Sequence, residues 1–135
     1  MNRSNHRRTI DLRSQKGQSL TEFALALPIL ILLLFAVIQF GIVFNNYVTL
    51  TDATRAGARK GAVGREIVNP SAAVTTAVRN SAANLNQGKL NVTVSSTWQA
   101  GSDVTVTATY PYSIKLLGLP LKSGNLSSTT TERVE

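Results

Sequence analysis

The stretch that decides the fold is FALALPILILLLFAVIQFGIVF, residues 23–44, which is almost wholly apolar. Gln39 is its one plainly polar side chain, and no charged residue occurs from Phe23 to Thr51. A bilayer core of about 30 Å needs about 20 helical residues, and this run is long enough. Leu, Ile, Phe and Val fill the run without leaving a polar face, unlike an amphipathic core helix. The run therefore predicts a transmembrane helix.

Two other interpretations of the apolar run are a buried helix of a soluble domain and a cleaved secretory signal. A chain of 135 residues is too small to enclose such a helix on all sides. The run is also longer than the usual signal core of roughly 7–15 residues, and no small-x-small cleavage site ends it. We therefore expect the segment to remain in the mature protein.

The net charge of +7 is concentrated at the amino terminus. Residues 1–17 hold five basic residues and one acid, so more than half of the net charge lies beside the apolar run. A basic arm in this place sets membrane orientation. It predicts a single-pass membrane protein with its amino terminus in the cytoplasm and its carboxy-terminal domain outside. Binding of the arm to nucleic acid is the competing interpretation, which this distribution disfavours.

The residue types needed for catalysis are scarce. The chain has no cysteine, and its one histidine, His6, lies in the basic arm. The acids that follow the arm are widely spaced, and no phosphate-binding glycine loop is present. We expect no enzyme activity, no cofactor, no metal site and no small-molecule substrate. A membrane-tethered enzyme is the least supported of the functions considered.

A short motif precedes the apolar run: KGQSLTEF, residues 16–23. A basic leader ends in Gly17, and Glu22 and Phe23 stand directly before the run. This motif resembles the processing site of type IV prepilins and their Tad-pilus relatives. The resemblance implies that a membrane prepilin peptidase cuts between Gly17 and Gln18, so that Glu22 becomes the fifth mature residue. Gly17 would let an extended backbone enter a narrow protease cleft.

The same resemblance gives Glu22 a role in assembly. Its carboxylate is costly at the head of an apolar helix and needs a partner. By resemblance, the new amine on Gln18 pairs with Glu22 of a neighbouring subunit and sets the register between subunits. The alternative is local, because the helix dipole favours a glutamate in a first turn and Ser19 could form a capping box with Glu22. Capping alone would leave the basic leader and the apolar run unexplained.

The similarity extends through GQSLTEFALALPILILLLFAVIQFGIVFNNYVTLTDATRAGARKGAVG, residues 17–64. This segment resembles TadE-like proteins, which are minor pilins or pseudopilins of Tad (Flp) pilus systems. The resemblance implies a structural subunit that supports surface adhesion, either as a component of the surface pilus or as a membrane-resident assembly factor. Its partners would be the membrane, the prepilin peptidase, other pilin subunits and the pilus assembly platform. The alternative is a pseudopilin of a secretion or DNA-uptake machine whose exposed domain binds cargo.

A stripe of small residues follows the membrane run. Ala53, Gly57 and Gly61 recur every four residues on one helix face, and such stripes let helices approach closely. The stripe predicts helix packing, either against neighbouring stems or against the protein's own carboxy-terminal domain.

The remaining residues predict one helix and a small sheet. Asn69 and Pro70 are typical of an N-cap and a first helical position, and residues 86–88 are expected to end that helix. Alternating apolar residues over 90–98 and 104–110 predict a hairpin, with Pro111 breaking its second strand. Residues 112–117 predict a further short strand, and residues 126–134 either an edge strand or a loose tail.

The predicted fold class is α+β: a long transmembrane stem helix followed by a small domain of one helix and an antiparallel β-sheet. The predicted divisions are a basic leader at 1–17, the transmembrane and stem helix at 18–66, and an extracytoplasmic domain at 67–135.

Overall fold

The computed structural model describes residues 12–116 and 118–135, with side chains described from Gly17 onward. A long helix, α1 (Leu12–Ala62), is followed by a 3-10 turn (Gly64–Glu66) and a second helix, α2 (Pro70–Ser81). Three strands complete the described fold: β1 (Asn91–Ser96), β2 (Asp103–Leu116) and β3 (Leu119–Arg133). They form one antiparallel sheet in the order β1-β2-β3. The predicted α+β class is confirmed.

The chain divides into two compact units, Met1–Ala36 and Val37–Glu135. In the first unit, every described side chain from Gln18 to Ala36 is exposed, although most are large and apolar. The predicted leader falls mostly on residues 1–11, which lie outside the described part of the chain. The predicted division at 66/67 stays a prediction.

The core of the second unit lies between the sheet and two helical segments. The sheet contributes alternate residues of β2, because side chains of one parity share a face. The fully buried or nearly buried apolar residues are Leu50, Ala53, Ala58, Val74, Val78, Ala82, Leu85, Leu90, Val104, Val106, Ala108 and Val134. Helix α2 supplies Val74 and Val78 to this core, and the carboxy-terminal part of α1 supplies Leu50, Ala53 and Ala58.

Helix α2 begins as predicted and ends earlier than predicted. The Asn69 side chain accepts a hydrogen bond of 3.2 Å from the backbone N–H of Ala72, and Pro70 occupies the first turn. The helix ends at Ser81, not at residues 86–88. The Gln87 side-chain amide donates to the carbonyl oxygens of Ala82 and Leu85, at 2.7 and 3.1 Å. These bonds satisfy carbonyls that a further helical turn would have used.

The prediction that Pro111 breaks the second strand is wrong. Strand β2 continues through Pro111 to Leu116, and Pro111 pairs with Asn125 of β3. Pairing with β1 ends at Thr109, so β2 has an open edge at Pro111. Proline is tolerated at such an edge because no ladder bond is lost there. The tail predicted over 126–134 forms the second half of β3, which is an edge strand.

Residues 45–66 were predicted to continue the stem helix, and they do so as far as Ala62. The next residues form the 3-10 turn, which closes with a 3.0 Å bond from the Ile67 N–H to the Gly64 carbonyl. Gly64 is buried there against the ring of Trp98, since a Cβ on Gly64 would lie 3.0 Å from that ring. The helix therefore ends where Trp98 crosses its extension.

Candidate processing and assembly site

The predicted processing motif lies inside α1, not at its start. The helix begins at Leu12, so Gly17, Gln18 and Glu22 are all helical. Ser19 is likewise an interior residue, and the capping-box alternative with Ser19 as N-cap is wrong for this state. Glycine weakens a helix interior by about 1 kcal/mol relative to alanine, so Gly17 is the weak point of this segment.

Glu22 has a neutral hydrogen-bond partner one turn earlier. The Gln18 side-chain amide donates to a Glu22 carboxylate oxygen at 3.0 Å. The Thr21 hydroxyl donates to the Gly17 carbonyl, also at 3.0 Å. Neither contact was expected from the sequence motif, although the i, i+4 spacing predicts that such side chains are neighbours. Glu22 is exposed, so its side chain is open to contact with another molecule.

Ion pairs are rare among the side chains that the structure describes from Gly17 onward. Their one ion pair joins Arg55 to Asp52 at 3.6 Å, far along the same helix. Glu22 therefore meets an amide and no described cation. Phe23, the next residue, is 60% exposed, as are its apolar successors. The start of the apolar run thus exposes one carboxylate and one aromatic ring beside an otherwise apolar helix surface.

Helix α1 is long and apolar enough to cross a membrane. By length and composition it is the one such helix among the described residues, over Gly17–Ala62. None of its most apolar window is buried by the rest of the protein, whereas its carboxy-terminal part lines the core of the second unit. An apolar surface of this size calls for lipid or protein to cover it. The helix indicates a single-pass membrane protein.

The small-residue stripe lies within the core of the second unit. Ala53 is fully buried. A Cβ on Gly57 would collide with Val78 of α2, and a Cβ on Gly61 would lie 2.8 Å from Val104 of β2. The sequence left open whether the stripe packs against neighbouring stems or against the protein's own domain. In the structure it packs against the protein's own domain.

A buried hydroxyl cluster beside this stripe escaped the sequence analysis. Thr54 of α1 is fully buried, and its hydroxyl lies 3.1 Å from the Ser128 hydroxyl of β3. The Thr130 hydroxyl donates to Thr54 at 3.0 Å, and Thr54 itself donates to the Thr51 carbonyl at 2.9 Å. The three side chains fix the position of β3 on α1. Only the serine and threonine content of both segments hinted at the cluster.

The described residues offer no grouping for metal chemistry. No three histidine, cysteine, aspartate or glutamate side chains from Gly17 onward converge on one point. The open face of the sheet carries hydroxyls in register across the strands. Thr105 and Thr131 are 3.0 Å apart, and Thr107 and Thr129 are 2.9 Å apart. The threonine hydroxyls of this face hydrogen-bond to one another across β2 and β3.

Comparison with known proteins addresses the amino-terminal half. The family model for TadE-like protein matches residues 17–59, about a third of the chain. The matched segment starts at the proposed cleavage glycine and includes Glu22, the apolar run and Ala53 and Gly57. Neither the search of curated proteins nor that of solved structures gives a match. The match confirms, over residues 17–59, the resemblance to TadE-like proteins predicted from the motif.

Proposed function

We propose that this chain is a minor pilin or pseudopilin subunit of a Tad (Flp) pilus assembly, supports surface adhesion and has a structural role without catalysis. The observation that carries the proposal is the exposed apolar helix with Glu22 at its head, within the TadE-like match. Lipid covers such a helix before assembly, and neighbouring stems cover it afterwards. Both environments are apolar, so the helix can exchange one for the other.

Maturation would be the step that prepares Glu22 for assembly. A prepilin peptidase would cut between Gly17 and Gln18, removing the basic leader. Glu22 would then lie in the first turn of the shortened helix, where the dipole favours a carboxylate. The new amine on Gln18 would pair with Glu22 of a neighbouring subunit. In the unprocessed chain the neutral Gln18 amide occupies this carboxylate at 3.0 Å, so the charged partner would arrive only after cleavage.

The processing step has a matched control in the same helix. Gly17 and Gly41 are both helical, and a Cβ at either position would meet nothing within 4 Å. Full-length chain is produced with and without the prepilin peptidase, and its intact mass is measured. We expect Gly17→Leu to abolish the loss of residues 1–17 and Gly41→Leu to leave it intact. A mass that does not change when the peptidase is present would refute processing.

The role of Glu22 is tested after maturation. We expect Glu22→Gln to be cleaved normally but to fail in pilus assembly, because its side chain can no longer balance a cation. Glu66→Gln is the control, since Glu66 is an exposed acid of the 3-10 turn. Pili are counted by electron microscopy, and surface attachment is measured in parallel. Equal piliation in both variants would exclude the register role of Glu22.

Membrane orientation belongs to the same proposal. The amino terminus would lie in the cytoplasm and the domain outside the bacterial inner membrane. Because the natural chain has no cysteine, a single Ala100→Cys substitution in an exposed turn gives a unique label site. We expect a membrane-impermeant maleimide to label it in intact spheroplasts. Labelling only after lysis would reverse the orientation.

A further inference from the structure

The β2–β3 hairpin ends in an exposed apolar segment that the proposed function does not use. We call residues 114–116 and 119–122 the hairpin end. Leu119 is 71% exposed and Leu121 is 65% exposed, and Pro120 between them is also exposed. Lys115 and Lys122 flank these residues on the two strands and are exposed as well. An apolar end between two cations is unusual for a surface that meets only water.

The hairpin end is also free of negative charge. Between Asp103 and Glu132 the sequence contains no acid, and its two basic residues are Lys115 and Lys122. The two lysines lie near each other across the hairpin, because Ile114 pairs with Lys122 and Lys115 with Pro120. Long lysine side chains can keep their ammonium groups at a polar boundary while apolar neighbours enter it. This chemistry matches an anionic lipid surface.

Contacts within the second unit show the direction in which the hairpin runs. Gly61 of α1 lies against Val104, Gly57 lies against Val106, and Thr54 bonds to Ser128, which pairs with Ala108. Moving forward along β2 therefore means moving backward along α1. Beyond Ala108 the hairpin continues toward the apolar residues at which α1 enters this unit.

The lengths of two segments of the second unit allow the hairpin end to reach the level of Phe44. Ala108 to Leu116 spans about 26 Å at 3.3 Å per strand residue. Thr54 back to Phe44, where the apolar run ends, spans about 15 Å at 1.5 Å per helical residue. The hairpin is therefore long enough to reach Phe44 with a margin for inclination of its strands.

The burial pattern of α1 agrees with this course. Gln39, Val43 and Asn46 are half-buried and Leu50 is fully buried, whereas most of their neighbours are exposed. Residues spaced by three or four share one helix face. One face of α1 is thus partly covered as far toward the amino terminus as Gln39, which is five residues before Phe44. Tyr47, 45% exposed, follows the apolar run, where aromatic rings favour the membrane boundary.

We propose that the hairpin end docks on the lipid bilayer that α1 crosses. Leu119 and Leu121 enter the boundary between headgroups and acyl chains, and Lys115 and Lys122 contact anionic phosphates. The second unit would then hold the membrane at two places, the helix and the hairpin end. This inference rests on α1 spanning the membrane but does not depend on a role in pili.

The test uses the full chain reconstituted in vesicles of phosphatidylcholine with or without phosphatidylglycerol. Because the natural chain lacks cysteine, Leu119→Cys carries a single environment-sensitive fluorophore. Ala100→Cys is the matched control, since Ala100 lies in the exposed turn at the opposite end of β2. We expect lipids bearing a nitroxide near the headgroup to quench the probe at Leu119 several-fold more than the probe at Ala100. Aqueous iodide should show the reverse order.

The lysines supply a second measurement. A lysine near an anionic surface contributes about a fivefold factor to binding. Combining Lys115→Gln with Lys122→Gln should lower the ratio of docked to free hairpin ends up to about 25-fold. The effect should appear with phosphatidylglycerol and shrink without it. Circular dichroism of each variant confirms that the domain remains folded.

Three results would overturn the inference. Equal iodide access at Leu119 and Ala100 would show a hairpin end in water. Shielding of Leu119 that grows with the protein-to-lipid ratio, without quenching by nitroxide lipids, would assign it to a contact between copies of the chain. Failure of the chain to float with vesicles would refute the span itself, and with it both this inference and the proposed function. Docking without pilus formation would refute the proposed function alone.

Discussion

Two regions of α1 differ in which side chains they expose and which they bury. Between Leu20 and Ala36 the helix exposes large residues such as Leu33 and Phe35. Between Leu50 and Gly61 it buries small ones, such as Ala53 and Ala58, under α2 and the sheet. Burial within this protein therefore does not follow hydrophobicity along the helix. The first region is apolar yet stays exposed within this chain, whereas the second has small side chains because its own domain packs closely against it.

The largest expected difference comes from shortening a leucine in each region. Leu50 is fully buried, so Leu50→Ala should destabilise the domain by about 2–5 kcal/mol through lost contacts and a cavity. Leu33→Ala removes an exposed side chain and should leave domain unfolding unchanged. Denaturant unfolding in detergent, followed by the fluorescence of the chain's one tryptophan, Trp98, measures both. Equal losses would break the contrast between the regions.

A smaller loss is expected from enlarging a glycine. A Cβ on Gly57 would collide with Val78, so Gly57→Ala should cost about 1–3 kcal/mol by overpacking. Gly41→Ala is the control, because its Cβ would meet nothing within 4 Å. The same unfolding assay applies. If Gly57→Ala were as stable as Gly41→Ala, the close packing of α1 on α2 would be incorrect.

The buried hydroxyl cluster should contribute less. Thr54→Val keeps the volume but removes the shared partner of Ser128 and Thr130, at an expected cost of about 1–2 kcal/mol. Thr51→Val is the comparison, since the Thr51 hydroxyl bonds only locally to the Tyr47 carbonyl on an exposed face. We expect that variant to lose at most a few tenths of a kcal/mol. The double variant Thr54→Val with Ser128→Ala should recover part of the loss.

The smallest effect concerns the exposed ion pair of the stem. Arg55 and Asp52 are each 62% exposed and lie 3.6 Å apart. Such a pair contributes about 0.5 kcal/mol or less, and salt screens it. Arg55→Ala should therefore lower the unfolding free energy barely above error, and the difference should vanish at high salt. A loss that persists in salt would reveal a packing role for the Arg55 stem.

The features that the sequence predicted are those with local causes. Asn69 caps α2 because its side chain reaches the third following N–H, a rule confined to four residues. The buried face of β2 follows from alternation alone. The TadE-like match over residues 17–59 agrees with the motif around Gly17 and Glu22.

The features that it missed depend on distant partners. The continuation of β2 through Pro111 required knowing that its pairing with β1 ends at Thr109 while its pairing with β3 continues. The hydroxyl cluster brings Thr54 to Ser128, across most of the domain sequence. The start of α1 at Leu12 placed Ser19 inside a helix, where its capping signal has no effect. Short-range patterns do not contain these distances.

The carboxy-terminal residues have a consequence for the order of events during synthesis. Val134 is buried in the core, its N–H donates to Ser102 at 2.8 Å, and the Glu135 N–H donates to the Ala62 carbonyl at 2.9 Å. The helix that the ribosome makes early is thus completed by a strand that it makes some seventy residues later. Until that strand emerges, the buried Thr54 hydroxyl lacks its partners on Ser128 and Thr130. A translocon or chaperone that shields the growing chain would have to hold it throughout this interval.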